Sequence, residues 1–219
     1  MPSASPTETP AVSLRVMELD DVPTAVRLHR ANLPSGFFVE LGDRFLARYY
    51  RTFLTSPAAV ALVAEVDGRP AGFLVGSTDE AVHRRHVMHF SRWDLARAGV
   101  TSLLVRPGLT VRFMRTRARR YLKGMRRTGA AAAAGGERGR SGALSHIAVD
   151  AAVRRGGVGA ALVTGFAGIA RVHGVEWLHL YTGHGNEAAQ RFYGRLGWEA
   201  QPVQYDIDGK PWVPFLLRL

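Results

Sequence analysis

The sequence predicts a mixed α/β (α+β) fold in a single domain, on three observations. Apolar runs of strand length alternate with segments whose apolar residues recur at helical spacing. The dipeptides Asp67-Gly68 and Asp208-Gly209 each lie between two such apolar runs, where a tight hairpin turn with positive φ is favoured. The chain has 219 residues, 47% hydrophobic and 21% charged, which suits one globular domain with a real core.

The elements follow in order. Residues 1–11 are polar and Pro-rich and read as a disordered tail, leaving residues 12–219 as the domain. Leu14–Met17 is a short strand. Asp20 and Asp21 offer N-caps to a helix that carries Val22, Ala25, Val26 and His29 on one face. Leu41–Leu54 is a second helix, with Leu41, Phe45, Tyr49 and Phe53 recurring every four residues beside Leu46 and Tyr50. That aromatic stripe reads as core packing. Ala59–Val66 and Pro70–Ser77 are the two arms of the first hairpin. Beyond an interruption at about 79–142, Leu144–Val149 is an apolar strand and Val158–Val172 a helix closed by Gly174. Val175–Tyr181 is a strand. Asn186–Leu196 is a helix capped by Asn186 and closed by Gly197. Trp198–Ile207 and Val213–Leu219 are the last two strands.

The interruption holds the chain's basic excess. Net charge is +11, and residues 81–142 alone contain 15 Arg/Lys against two acids, Asp94 and Glu137. Pro107-Gly108 divides this stretch into two pieces that read as helical, and Ala130–Gly136 begins a low-complexity linker. A basic block inside a neutral domain suggests a local device rather than a nucleic-acid-binding surface. Three readings stand: a lid favouring an anionic acceptor, an amphipathic element resting on an anionic membrane, or a solvated excursion. His83, His86 and His89 have i, i+3, i+6 spacing but no acidic neighbours, so a solvated face is favoured over a metal site.

Several classes are excluded or disfavoured. With no cysteine there are no disulfides, thiolate metal sites or cysteine nucleophiles. The longest charge-free apolar run, Phe53–Ala64, is far short of the ~20 residues of a membrane span. Met1–Pro10 lacks the basic and apolar regions of a signal peptide, so a cytoplasmic location is the default expectation.

The segment that carries chemistry is Arg154-Arg155-Gly156-Gly157-Val158-Gly159, between a strand and a helix. Glycines let the backbone approach a ligand closely, the helix start presents unpaired N–H groups, and two arginines add bidentate donors. Together these make a pyrophosphate cradle. A tight strand-to-helix turn would use the same glycines. There is no Gly-x-Gly-x-x-Gly and no Gly-Lys-Ser/Thr.

Residues 144–199 resemble the acetyl-CoA-binding half of the GCN5-related N-acetyltransferase (GNAT) family. Arg154, Gly157 and Gly159 match that family's Arg/Gln-x-x-Gly-x-Gly/Ala loop. Asn186, Ala189, Phe192, Tyr193, Gly197 and Trp198 match a second motif in order. Ala151 stands where proline is common, and the insertion replaces a usually short connection.

The resemblance implies a GNAT-type fold and N-acetyl transfer from acetyl-CoA to a primary amine, without a metal. Backbone groups of Ile147 and Val149 would pair with the pantetheine arm. Residues Arg154, Arg155, Gly156, Gly157, Val158, Gly159 and Ala160 would hold the pyrophosphate, chiefly through backbone N–H groups. Asn186 would line the pantetheine, and Tyr193 would protonate the departing thiolate. Attack of an amine on a thioester needs positioning and proton transfer, not a covalent enzyme intermediate. His146 titrates near neutrality and is the candidate base if strand alternation turns it to the cleft. His29, Glu40, Tyr181 and His184 are further candidates. The expected acceptor is a small molecule, such as an amino sugar or anionic metabolite. A protein N-terminus or lysine is the alternative, as is a non-catalytic chain that binds nucleic acid or membrane. Association into a homodimer is left open.

Overall fold

Eight strands build one mixed sheet in the order β1-β2-β3-β4-β5-β8-β6, with β7 also paired to β8. The computed structural model describes residues 11–33, 37–91, 97, 140–206 and 209–219. The expected tail, the two pieces expected to be helical on either side of Pro107-Gly108, and the expected linker from Ala130 lie outside the described residues.

β1 (Val12–Val16) leads through a 3₁₀ turn into α1 (Val22–Asn32). Asp21 precedes α1 but does not cap it with its side chain, contrary to expectation. Its carboxylate is taken by Arg15, at 2.6 and 2.8 Å, and by the Glu18 N–H. The short α2 (Phe37–Glu40) is followed by α3 (Asp43–Thr55). The stripe on α3 is core, as its spacing predicts: Phe45, Leu46, Tyr50 and Phe53 are buried. β2 (Ala59–Val66) and β3 (Arg69–Ser77) form the expected hairpin, and both turn residues, Asp67 and Gly68, have positive φ.

After β3, the Asp79 carboxylate accepts from Val82 N–H and starts α4 (Glu80–His86), which runs into a π turn at Val87–Ser91. The histidine face is partly solvated, with no residue of α4 buried and His89 exposed, but two of its histidines touch α3. The His83 ring lies on Phe53, 4.5 Å between centroids, and His86 Nε2 is 3.0 Å from Thr55 Oγ1. Among the described residues no group of His, Asp and Glu could hold a metal ion. β4 (Ser141–Val149) begins earlier than the sequence suggests, so Ser141 and Gly142 belong to the sheet. Gly142 is required there, because a Cβ would stand 2.6 Å from Ser77 O and 2.9 Å from Leu178 Cδ2.

α5 (Val158–Val172), β5 (Trp177–Gly183) and α6 (Glu187–Arg195) follow. The expected strand at Trp198–Ile207 is broken into β6 (Glu199–Ala200) and β7 (Gln204–Tyr205), both paired to β8 (Pro211–Arg218). Two cores flank the sheet. On one face α5 buries Leu162, Val163 and Phe166 against Leu62, Leu74, Leu144, Leu178 and Phe215. On the other, α1 and α3 bury Leu28, Leu46 and Tyr50 against Val63, Phe73 and Ala148. Among the described residues no helix is long and apolar enough to cross a membrane.

Candidate active site

The site begins where two parallel strands part. β4 pairs with β5 only at Ser141, Gly142 and Ala143, although β4 continues to Val149 and β5 to Gly183. Beyond Ala143 and His179 the strands diverge and a gap opens in the middle of the sheet. On its other edge β4 is paired with β3 from Ala143 to Val149, with a bulge at Ser145 between the Gly76–Leu144 and Val75–His146 pairs. The Asp150 N–H donates to Ala71 O at 2.8 Å, towards β3. Backbone direction alternates along a strand, so the N–H and C=O groups of Ile147 and Val149 point the opposite way, into the gap.

The bulge also decides where side chains go. Leu144 faces the α5 core, whereas Ala148 faces the α1/α3 core. Without the extra residue both would share a face. His146 is therefore turned to the α1/α3 side. It packs in a ring cluster with His29 at 5.1 Å, Tyr49 at 5.5 Å and Tyr50 at 6.2 Å. His29 is 3% exposed, and its Nδ1 is 2.5 Å from Tyr50 Oη. Burial, reinforced by neighbouring His29, pushes His146 down to about 3, and burial lowers His29 to about 4. Both are neutral, weakly basic imidazoles.

At the end of β4, Asp150 Oδ1 accepts from Ala152 N–H at 3.1 Å and shapes a 3₁₀ turn, Ala151–Val153. The chain then reverses through Arg155, at φ 66°, and Gly157, at φ 82°. Gly156 and Gly159 do not have positive φ. At Gly159 glycine answers a close approach, since a Cβ would stand 3.3 Å from the Phe192 ring. Gly157 precedes α5 and has no side chain to cap it. The first helical hydrogen bond runs from Ala161 N–H to Gly157 O, at 2.9 Å. The N–H groups of Val158, Gly159 and Ala160 therefore have no helix partner. They converge at the positive end of the helix dipole, an arrangement suited to phosphate. Arg154 and Arg155 are exposed, and Arg154 Nη2 donates to Asn32 Oδ1 at the end of α1.

Asn186 is exposed and its Oδ1 accepts from Ala189 N–H at 3.1 Å, so it caps α6. On α6, Tyr193 is 5% exposed among Phe192, Trp198 and Phe215. Its hydroxyl makes no hydrogen bond to a described residue but is not sealed in the core. Burial raises its pKa, which keeps the phenol protonated.

Two residues that the sequence reading passed over, His179 and Glu80, meet on the side of the sheet that His146 faces. Leu178 and Leu180 belong to the α5 core, so His179 and Tyr181 point to the opposite side. His179 Nε2 lies 3.3 Å from Oε2 of Glu80 on α4. Nearly a hundred residues separate the two, so no spacing motif joins them. Of the other candidate bases, Tyr181 is 54% exposed on β5, and His184 is exposed in the loop before Asn186.

Comparison with known proteins fits this geometry. Residues 118–198 match the model of the Acetyltransferase (GNAT) family; 118–139 of these lie outside the described residues. No curated protein sequence matches the chain. Among solved structures, Ard1 from Thermoplasma volcanium superposes with a TM-score of 0.57 at 18% identity, covering 95% of this chain and 98% of that one. The ribosomal-protein-S18-alanine N-acetyltransferase from Escherichia coli gives 0.56 at 14% identity, covering 95% and 94%. The PaiA N-acetyltransferase from Thermoplasma acidophilum, solved with coenzyme A, gives 0.56 at 12% identity, covering 95% and 99%. At such identities the superpositions speak for the fold, and the family match speaks for the sequence. The family match over residues 118–198 and the fold shared with these structures agree, and both make this chain similar to the GNAT acetyltransferases.

Proposed function

We propose that the chain is an N-acetyltransferase that moves the acetyl group of acetyl-CoA onto the primary amine of a small molecule. The observation that carries this reading is the β4–β5 gap, which runs towards the unpaired N–H groups at the start of α5. A pantetheine arm can lie in the gap as an added strand against Ile147 and Val149. Its pyrophosphate then meets Arg155 to Ala160, with Arg154 and Arg155 offering positive charge at the rim. Asn186 lines the arm from the other side of the gap.

In the reaction the neutral amine attacks the thioester carbonyl carbon. The C–N bond forms, the C–S bond breaks, the nitrogen gives up a proton, and the sulfur gains one. Tyr193 supplies the proton to sulfur. Its buried phenol stays protonated at neutral pH until the thiolate develops beside it. His146, at about 3, is a poor acceptor for the ammonium proton and serves the site better as a neutral wall with Tyr49 and His29.

Calorimetric titration with acetyl-CoA, CoA and ATP tests the reading. Acetyl-CoA and CoA should bind and ATP should bind far more weakly; no binding of acetyl-CoA to the folded chain removes the proposal. Tyr193→Phe should lower kcat about 10²-fold with acetyl-CoA affinity nearly unchanged. An undiminished kcat would take the proton-donor role from Tyr193.

A further inference from the structure

The sheet face opposite α5 carries a continuous wall. It runs from His146 on β4 through Tyr49 and Phe53 on α3 to His83 on α4, with ring centroids 5.5, 5.3 and 4.5 Å apart in turn. It continues from Glu80 on α4 to His179 and Tyr181 on β5. Resting on the acetyl-transfer reading above, we propose that His179, oriented by Glu80, is the general base that receives the acceptor's ammonium proton, and that the acceptor binds against this wall.

The geometry supports each part. His179 sits on the last rung before β4 and β5 part, opposite Ala143, and so stands at the apex of the gap. An arm lying along Ile147 and Val149 towards that apex brings its thioester end to this rung. On its two neighbouring strands His179 faces Ala143 and Leu216, neither of them charged or titratable. One ring nitrogen is engaged by Glu80, while Nδ1 makes no hydrogen bond to a described residue. A carboxylate on one nitrogen fixes the ring and leaves the other to take a proton.

Glu80 is itself held in place. Its Oε1 accepts from Arg84 Nη2 at 2.7 Å, and it lies in the first turn of α4, where the helix dipole favours a negative charge. It remains a carboxylate, held at about 2 first by His179 and further by Arg84. The proton balance closes with one proton released: the ammonium gives one H⁺ to His179 Nδ1, the attacking nitrogen gives a second to solvent as the amide forms, and sulfur gains one from Tyr193. Solvent then resets both groups. Glu80 acts through His179 and is a positioning residue.

The test uses the full chain, acetyl-CoA, and two probe amines at neutral pH. 2-Phenylethylamine arrives as an ammonium ion and must lose a proton; aniline arrives neutral. Thiol release should fall about 100-fold for 2-phenylethylamine in His179→Gln and about 10-fold in Glu80→Gln, with less than about threefold loss for aniline. Added imidazole should restore part of the 2-phenylethylamine rate to His179→Ala. Acetyl-CoA affinity, measured by calorimetry, should match wild type in all three variants, which also reports that they fold. Equal loss for both amines, no loss, or wild-type chain that binds acetyl-CoA yet releases no thiol with either amine overturns the base assignment and leaves the acetyl-CoA site standing. Absence of acetyl-CoA binding in wild type overturns the acetyl-transfer reading itself.

Discussion

His29 and His146 illustrate how a residue's surroundings, more than its type, set its chemistry. An unfolded histidine titrates near 6.5. In the fold, burial lowers His29 to about 4 and His146 to about 3. Between those values the unfolded chain binds protons that the folded chain refuses, so stability falls as pH drops. Their contribution is complete above about pH 6.5 and is progressively lost towards pH 4. Each histidine loses about 1.4 kcal/mol for every pH unit crossed in that interval. Carboxylates enter later: Asp21, lowered by its bond to Arg15, costs stability only below the normal carboxylate range. Urea unfolding should therefore show a falling free energy from about pH 7 to about pH 5, before acid denaturation by carboxylates begins. His29→Gln should flatten that slope. A wild-type profile level to about pH 5 would mean that the two imidazoles are far better solvated than their packing implies.

At the scale of the element, the loop before α5 makes a demand that only one of its glycines meets by conformation. Gly157 has φ 82° and open space where a Cβ would point. Gly157→Val should cost roughly 1–2 kcal/mol of stability from left-handed backbone strain alone. It should also weaken acetyl-CoA binding at least about tenfold, because the new side chain occupies the mouth of the phosphate cradle. Thermal melting separates the first effect from the second, which calorimetry reads; unchanged affinity would place the pyrophosphate elsewhere. Such local devices were largely legible. Asp67-Gly68 announced its turn because that pair tolerates positive φ, and Asn186 announced a cap that the structure shows accepting from Ala189. The α3 stripe was legible as core from its spacing alone. What could not be read was pairing. The one-residue bulge at Ser145 reverses the faces of β4 and sends His146 into a ring cluster instead of the α5 core. Glu80 and His179 meet only because β3, β4 and β5 are neighbours in the sheet. The positive φ at Arg155 was hidden behind the glycines that follow it.

Across the whole molecule, the sheet is two halves held together by three rungs. β1 to β4 form one half and β5 to β8 the other, and among the described residues Ser141, Gly142 and Ala143 are the only rungs of strand pairing between them, with Arg140 O accepting from Glu176 and Trp177 N–H just before. α5 contributes to the join, since its core includes Leu62 and Leu74 from one half and Leu178 and Phe215 from the other. A ligand that enters the gap as an extra strand supplies hydrogen bonds that the sheet itself leaves unmade, so binding and folding are coupled. Acetyl-CoA at about 100 times its Kd should add about 2.7 kcal/mol. For a chain of this size that raises the melting temperature by roughly 5–10 °C. Hydrogen exchange gives the finer test. In the free protein the amides of Ile147 and Val149 point into the gap and should exchange quickly, while Asp150, donating to Ala71 O, should be protected. With acetyl-CoA bound, Ile147 and Val149 should become protected and Asp150 should change little. Protection confined to the α5 N-terminus would show that the phosphates bind but the arm does not lie along β4, and the two halves of the sheet would then remain joined by their three rungs alone.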